Sequence, residues 1–525
     1  MNYANRATGI ALAVFVTAIP YFSTLAAPSQ PSLDEAVQRA VAAFGAPGAV
    51  LSVVRDGEIV YASGSGVAET GSAMPVDERT LFRIGSVSKA FTAAALALLV
   101  DEGRLDWDDP VIDYLPEFRM QDPWVTREFS IRDLLTHRSG LPLGAGDLLM
   151  FPDSNATRAD VIRALRFLKP STSFRSEYAY DNLLYIVAGE VVARASGMAY
   201  EEFLESRLFE PLGMTDCIAT AERAAADAPV ATPHVRIDGE LQTTTTRMTS
   251  LVAAAGGIVC SARSMAKWML FLLDEGIASE GRRLISEEQF AELVRPVTLV
   301  PVSQYLKEHA GASINTYALG WGVSTFYGNP VWSHGGAVWG MTAYIIVLPE
   351  QKLAAFASNN LMSAAPRALA YQAIDLFLRD SNAAAGKDWI GILADLVAER
   401  QSAADDAVEQ AFAERNADSM PSLPLEKYTG LYRDPWYGDV RITLEDGALR
   451  FQSERNAPLE GPLEHFQYDT FVARWTDRRL MADAYVSFTL NPEGAVERIR
   501  MKAVSPATDF SYDFHDLDLR PVPPP

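Results

Sequence analysis

Apolar and polar positions change period several times along the chain. Residues 33–44 carry apolar positions at helical spacing. Ala49 to Val54 is a continuous apolar run, Arg55-Asp56-Gly57 is a turn, and Glu58 to Ala62 returns, so this stretch predicts a hairpin. The run Leu81-Phe82-Arg83-Ile84-Gly85 reads as strand and turn. From Ser86 through Leu99, Ala and Leu dominate, which predicts a buried helix. Further helices are predicted at Ile131 to Leu135, at 155–167, at 180–196 closed by Gly197, and at Phe290 to Val294. Across 317–349 the period shifts again. Trp321, Val323 and Phe326 lead to turns at Gly328-Asn329-Pro330, and Thr342 to Leu348 is rich in β-formers. Strands come first, helices fill the middle and strands return. That order predicts a mixed α/β (α+β) domain, with one antiparallel sheet built from both ends of the segment and helices packed around it.

Residues 381–422 differ. They are rich in Ala, Asp and Glu, with Trp389, Ile390, Ile392, Leu393 and Leu396 at near-helical spacing, and they end in Ser419-Met420-Pro421-Ser422. They read as a linker holding an amphipathic helix. Beyond it, short alternating segments dominate. Val440, Ile442 and Leu444 precede the Glu445-Asp446-Gly447 turn, and Tyr485, Ser487 and Thr489 precede Asn491-Pro492-Glu493-Gly494. This pattern predicts a small all-β domain, sandwich or barrel. The expected organisation is a leader at 1–27, a first domain at 28–380, a linker at 381–422 and a β domain at 423–525.

Composition narrows the function classes. A chain of 525 residues suits two or three domains, and 49% hydrophobic residues suit a packed interior. A formal net charge of -22 argues against nucleic acid and against anionic membrane as partners. Arg6 is the only charge before Asp34, Gly9 to Ile19 is an apolar run, and Thr24-Leu25-Ala26 offers small residues for cleavage. Residues 1–27 therefore read as a secretory signal. Pro20 interrupts a run already short for a spanning helix, so no stable membrane insertion is expected after cleavage. The expected location is periplasmic or secreted. Two cysteines, Cys217 and Cys260, leave one disulfide and two buried free thiols both open. With no H-E-x-x-H and no Cys/His cluster, no metal and no cofactor is expected.

The candidate chemistry begins at Ser86-Val87-Ser88-Lys89. A serine in the first turn of a helix lies where free N–H groups and the helix dipole favour an alkoxide and a developing oxyanion. Lys89, three residues on, returns to the same face. Buried among Ala and Leu, its charged form is disfavoured, which suits a proton acceptor for the serine hydroxyl. The spacing alone is weak. Ser264-Met265-Ala266-Lys267 repeats it, and there Ser261 or Ser264 reads as the cap of a helix running into Trp268-Met269-Leu270-Phe271. A second element is Tyr180-Asp181-Asn182. A phenol near a lysine can relay protons to a leaving group, and an asparagine can both donate and accept. Tyr178 and Tyr185 stand close by, so spacing does not choose among the three. Tyr327-Gly328-Asn329 has the same spacing and reads as a hairpin turn. The third element is Ser333-His334-Gly335-Gly336-Ala337, where glycines on a strand admit a ligand backbone. The N–H of Ala337 can then join that of Ser86 in an oxyanion site. His137, His234, His309, His465 and His515 read as structural.

Taken in order, Ser86-Val87-Ser88-Lys89, Tyr180-Asp181-Asn182 and His334-Gly335-Gly336 resemble the three motifs of the class C β-lactamase-like and penicillin-binding-protein-like serine hydrolases. Leu134 to Pro142, Phe174 to Asn182, Pro211-Leu212-Gly213-Met214 and Ala318 to Gly322 are similar to stretches of that family, over roughly residues 33–380. Residues 423–517 resemble the lipocalin-like β domain attached to some of its members, notably at Tyr428 to Tyr432 and Asp509 to Phe514. The resemblance implies Ser86 as acylated nucleophile, Lys89 and Tyr180 as the proton-transfer pair, Asn182, His334 and Gly336 as substrate-orienting positions, and the N–H groups of Ser86 and Ala337 as oxyanion donors. One departure is visible. The β-lactamases usually carry Lys-Thr-Gly where this chain has His334-Gly335-Gly336.

The expectation is therefore an exported serine hydrolase forming an acyl-enzyme on Ser86. Its expected substrates are peptides or amides with D- or other unusual residues, linearised cyclic peptides among them. A carboxylesterase, a weak β-lactamase or penicillin-binding protein, and a catalytically silent binding protein whose β domain holds a hydrophobic ligand are the alternatives.

Overall fold

The computed structural model describes residues 30–245, 249–379 and 382–523. The expected signal segment, residues 1–27, lies outside the described residues.

The hairpin forms as its pattern predicts. Gly48–Arg55 and Glu58–Gly66 pair antiparallel across Asp56-Gly57, both in the left-handed region that a two-residue hairpin turn requires. Gly48–Arg55 then takes as its other neighbour Leu353–Asn359, from the far end of the same segment. The full order is Glu58–Gly66, Gly48–Arg55, Leu353–Asn359, Met341–Leu348, Asn329–Val338, Gly322–Phe326, Asn315–Tyr317 and Thr298–Leu299, with every neighbouring pair antiparallel. Leu353–Asn359 is buried along its whole length, which accounts for an apolar run without alternation: both faces of the sheet are covered. On one face Leu51, Val53 and Ile346 meet Leu33 and Val37 of helix Gln30–Phe44, Leu369 and Ile374 of helix Ala365–Leu378, and Trp389. On the other face Ile345, Val347 and Phe356 meet the helical middle of the chain.

At the centre of that middle region runs helix Ser88–Asp101, with every residue from Ser88 to Leu99 buried. Phe91 stacks on Trp268 with centroids 4.1 Å apart. A helix surrounded on all sides needs no polar stripe, which explains its Ala/Leu composition. The helix starts later than its sequence suggests. Gly85–Val87 is a single 3-10 turn and the α-helix begins at Ser88, because Gly85 leaves strand Leu81–Arg83 with a left-handed backbone, φ 53°. The helix expected over 180–196 is likewise Leu183–Ser196, so Tyr180, Asp181 and Asn182 form the corner before it, and Gly197 closes it at φ 76°. Cys217 and Cys260 form a disulfide. It ties the segment after Met214 to strand Val259–Ser261, which pairs with Leu81–Arg83 just before Ser86.

The stretch expected as a linker contributes to the core. Helix Trp389–Ala413 buries Trp389, Ile390 and Leu393 against the back of the sheet, so its first turns are held by packing. After it comes an eight-stranded antiparallel barrel, ordered Val496–Ala503, Ala484–Leu490, Thr470–Ala473, Glu460–Gln467, Ala448–Ser453, Gly438–Glu445, Gly430–Asp434, Arg520–Pro521. Leu519 bridges back to Ile499 through N–H···O contacts of 2.8 and 3.2 Å, which nearly closes the ring. In Ala484–Leu490 the inward set is Ala484, Val486 and Phe488, and Tyr485, Ser487 and Thr489 face outward. The interior is filled by Tyr428, Phe451, Phe471, Trp475 and Phe488, with Tyr428 and Phe488 at 4.9 Å.

The barrel sits against the first domain through its last loop. Tyr512 packs on Phe151 at 5.0 Å and on Trp339 at 6.4 Å. Asp513 accepts hydrogen bonds from the N–H groups of Gly146, at 2.6 Å, and Leu148, at 3.0 Å.

Candidate active site

Ser86 lies at the front of the buried helix, and each of the other sequence-derived candidates converges on it. The Nζ of Lys89 donates to Ser86 Oγ at 3.0 Å, to Asn182 Oδ1 at 2.7 Å and to the Ala255 carbonyl at 2.7 Å. Burial pushes this amine down to about 7, against the pull of Asp147 and Asp181 in the opposite direction. Near neutral pH a lysine in this state exchanges readily between ammonium and free amine, as a proton acceptor for a serine hydroxyl must.

The structure chooses among the three tyrosines. Of the three, Tyr180 is the one whose hydroxyl lies within interaction range of the Ser86 side chain. Its ring lies beneath Lys89 Nζ, 4.8 Å from the centroid. Tyr185 instead donates to the Leu135 carbonyl at 2.7 Å. Tyr178 packs edge-on to His137 at 5.7 Å. Burial raises Tyr180 well above the ordinary phenol value, so it is held as a neutral donor rather than a phenolate.

Asn182 begins helix Leu183–Ser196 without capping it through its side chain. That task falls to Asp181, whose Oδ1 accepts from Leu184 N–H at 3.3 Å. The Asn182 amide is committed elsewhere: Oδ1 accepts from Lys89, and Nδ2 donates to Asp147 Oδ2 at 2.8 Å. A charged donor on one side and a carboxyl on the other fix which way the amide faces.

Strand Asn329–Val338 presses its glycines onto the nucleophile turn. A Cβ on Gly336 would collide with the Ile84 carbonyl and stand 3.1 Å from Ser86 N, and one on Gly85 would stand 2.5 Å from Ala337 N. Both contacts are closer than a side chain permits, so glycine at both positions lets the Ser86 and Ala337 amides flank one spot beside the Ser86 hydroxyl. Two such amides are the donors that a tetrahedral oxyanion needs.

His334 is placed beside Ser86 but gives up both ring nitrogens to the protein. Nε2 meets the Tyr317 hydroxyl at 2.8 Å and Nδ1 meets the Gly335 carbonyl at 2.7 Å. Burial, then the charge of Lys89, pushes it down to about 3, so it is neutral at physiological pH. It supplies no cation for a substrate carboxylate. Arg367 also lines the cleft, but on the Gly335 side of the strand, 3.4 Å from where a Cβ on Gly335 would lie, whereas Gly336 and Ser86 share the opposite face.

Several residues of the site had no clear sequence signal. His137, read as structural, accepts from Asp181 N–H at 3.1 Å on Nδ1, and its ring lies 4.2 Å from that of Tyr180 and 4.5 Å from that of Tyr317. It supports the Tyr180-Asp181-Asn182 corner. Asp147 and Ala255 are reached only through side-chain contacts across the fold. Ser511 and Phe510 come from the barrel: Ser511 Oγ donates to Asp147 Oδ2 at 2.9 Å, and the Phe510 ring stands edge-on to Tyr180 at 5.9 Å. Asp509 to Phe514 stood out in the sequence as a stretch of its domain, with nothing to show that it reached the first. The second S-x-x-K is structural. Ser261 caps helix Ala262–Leu273 by accepting from Ser264 N–H at 3.1 Å, and Lys267 donates to the Gly213 carbonyl. Tyr327-Gly328 is a hairpin turn, with Phe326 paired to Asn329. The cleft over Ser86 holds about 880 Å³ and is walled by Phe151, Tyr178, Tyr180, Tyr317, Trp339 and Phe510.

The model of the β-lactamase family matches residues 33–379, and that of a domain of unknown function (DUF3471) matches residues 414–521. A protein of Aspergillus violaceofuscus named Unguisins hydrolase ungD is 27% identical over 506 residues, 90% of this chain and 88% of its own. The octameric penicillin-binding protein homologue of Pyrococcus abyssi superposes with a TM-score of 0.60 at 22% identity, over 90% of this chain and 97% of its own, a likeness of fold that spans both domains. The D-amino acid amidase of Ochrobactrum anthropi SV3 superposes with a TM-score of 0.54 at 25% identity, over 66% of this chain and 98% of its own.

Proposed function

The chain belongs to the β-lactamase family of serine hydrolases, and on that premise we propose that it is an exported peptidase or amidase that forms an acyl-enzyme on Ser86. The observation that carries the reading is the buried, weakly basic Lys89 amine 3.0 Å from the Ser86 hydroxyl. Free Lys89 takes the Ser86 proton as Oγ bonds to the substrate carbonyl carbon. The resulting oxyanion accepts from the Ser86 and Ala337 N–H groups. The carbon–nitrogen bond then breaks, and the amine leaves with the Tyr180 proton, which the Lys89 ammonium replaces. Water cleaves the acyl-enzyme by the same steps in reverse.

The substrates in this reading are peptides or amides with D- or other unusual residues, linearised cyclic peptides among them. A broad, aromatic-walled cleft accommodates apolar side chains. A neutral His334 removes the cation that would favour a β-lactam carboxylate. The similarity to a protein named for unguisin hydrolysis and to a D-amino acid amidase supports the same class. The filled barrel interior speaks against a silent protein that carries a ligand there. Export is supported by the apolar run Gly9 to Ile19 and by a disulfide that suits an oxidising compartment.

The test is steady-state kinetics on nitrocefin, a p-nitrophenyl ester and paired L- and D-residue peptide amides, for wild type, Ser86→Ala and Ser264→Ala. Turnover of D-residue amides that disappears in Ser86→Ala and persists in Ser264→Ala is the expected result. Nitrocefin hydrolysis without peptide or amide turnover would overturn the substrate class, and ester hydrolysis alone would leave a carboxylesterase.

A further inference from the structure

We infer that Ser511, carried by the barrel domain, is a positioning residue of the Ser86 site that acts through Asp147 and Asn182 on the Lys89 amine. This rests on reading Ser86 and Lys89 as nucleophile and base. The links are continuous. Ser511 Oγ donates to Asp147 Oδ2 at 2.9 Å, and the same oxygen accepts from Asn182 Nδ2 at 2.8 Å. Asn182 Oδ1 accepts from Lys89 Nζ at 2.7 Å, and Nζ donates to Ser86 Oγ at 3.0 Å.

An amide side chain fits its pocket in two orientations a half-turn apart. One offers Lys89 an acceptor and the other offers it a second donor, which would repel the amine. What selects the first is an acceptor on the far side, and Asp147 Oδ2 is that acceptor. Asp147 itself is fully buried, and its other oxygen, Oδ1, has no hydrogen-bond partner in the structure. The carboxyl oxygen that orients Asn182 is therefore held in turn by the hydroxyl of Ser511.

The backbone around Asp147 is gripped from the same loop. Asp513 accepts from Gly146 and Leu148 N–H, on either side of Asp147. Phe510 lies so close to Gly144 that a Cβ there would stand 2.8 Å from its ring. Gly144 N–H in turn donates to the Tyr180 carbonyl at 2.8 Å. Three residues of the barrel, Phe510, Ser511 and Asp513, thus close around the turn that sets the Asn182 amide and the Tyr180 backbone. The hydroxyl–carboxyl contact is part-buried and joins the barrel to the carboxyl that orients Asn182.

Charge coupling follows the same path. Lys89 faces Asp147 and Asp181, which favour its ammonium, and His137, His334 and the Tyr180 and Tyr185 rings. Burial pushes the Asp147 carboxyl well above the usual carboxylate range, and the hydrogen bonds from Asn182 and Ser511 oppose that shift. Without the Ser511 hydroxyl Asp147 stays neutral to higher pH, and Lys89 loses part of what holds its proton.

The experiment uses the full-length protein and compares wild type, Ser511→Ala and Ser511→Thr. The rate of fluorophosphonate acylation, mapped to Ser86 by peptide mass, and the kcat and KM of a p-nitrophenyl ester are followed from pH 5 to 9. Ser511→Ala is expected to acylate about tenfold more slowly, with KM nearly unchanged and its acid limb at lower pH than wild type. Ser511→Thr, which keeps the hydroxyl, is expected to restore both rate and limb. An unchanged Ser511→Ala, an effect confined to KM, or a Ser511→Thr as slow as Ser511→Ala would each overturn the inference while leaving Ser86 as nucleophile. A wild type not labelled at Ser86 would overturn the nucleophile reading and this inference with it.

Discussion

The Lys89 amine stands 3.0 Å from the Ser86 hydroxyl at the heart of the first domain, and its remaining contacts are an amide oxygen and a backbone carbonyl rather than a carboxylate. A buried ammonium with neutral acceptors around it gives up its proton easily.

The first prediction is a pH profile. With free Lys89 as the proposed base, kcat/KM should fall about tenfold per unit below pH 7, the value near which burial places the amine. His334, near 3, and Tyr180, far above neutrality, contribute no limb in that range. Asp181, raised by burial to about 7, is the competing assignment. In Asp181→Asn the limb should persist and move to lower pH, because a carboxylate that favours the Lys89 cation has gone. Loss of the limb in that variant would assign it to Asp181. Stability should carry the same signature. An unfolded lysine titrates near ~10.4, so from about pH 7 to about pH 10 the unfolded chain binds a proton that the folded chain has released, and stability rises with pH. Lys89→Met should be inactive. It should gain most in melting temperature over wild type below pH 7 and little by pH 10. Scanning calorimetry across that range checks it.

The second prediction separates the tyrosines. Tyr180→Phe removes the phenol facing Ser86 and should lower kcat by roughly 10²–10⁴-fold with little change in KM. Tyr178→Phe loses a hydroxyl that makes no interaction with Ser86 among the described residues and should stay within a fewfold of wild type. Tyr185→Phe breaks the bond to the Leu135 carbonyl and should cost stability, about 1 kcal/mol, more than rate. Equal losses of kcat at positions 178 and 180 would remove the case for Tyr180.

The third prediction concerns the oxyanion donors. Gly336→Ala puts a methyl group against the Ile84 carbonyl and forces the strand away from the Ser86 turn. Withdrawing the Ala337 N–H should cost about 3 kcal/mol of transition-state stabilisation, roughly 10²–10³-fold in kcat. Gly328→Ala, at a left-handed turn position (φ 79°) where a Cβ meets nothing within 4 Å, should cost some stability but leave kcat near wild type, and serves as the control. Comparable losses in both would point to general destabilisation, which thermal melts of the two variants would reveal.

Much of the first domain was legible because its signals are local. The hairpin about Asp56-Gly57, the β-rich run Thr342 to Leu348 and the Ala/Leu helix after Ser86 each follow from residue spacing and turn chemistry over a dozen residues. The boundaries that moved did so for local reasons that need coordinates. Gly85 turns left-handed and delays the helix to Ser88, and Asp181 rather than Asn182 caps the helix after the corner. The helix read as part of a linker buries Trp389, because nothing in an amphipathic period says which surface will cover the apolar side.

By itself, then, the sequence determined the candidate groups and their chain order, Ser86 with Lys89, then Tyr180 and Asn182, then His334 to Ala337. It also determined that a helical middle is enclosed by strands and followed by a separate β pattern. Tertiary structure alone decided which of three tyrosines faces Ser86, that Cys217 meets Cys260, and that His334 commits both ring nitrogens to Tyr317 and Gly335. It alone decided that Ser511 reaches Asp147, 364 positions away in the chain. The physical reason is range. Helix period, turns and caps are set by interactions between neighbours in sequence, whereas a hydroxyl finds its partner, and a buried amine its pKa, only where packing brings distant segments within a few ångströms and excludes water.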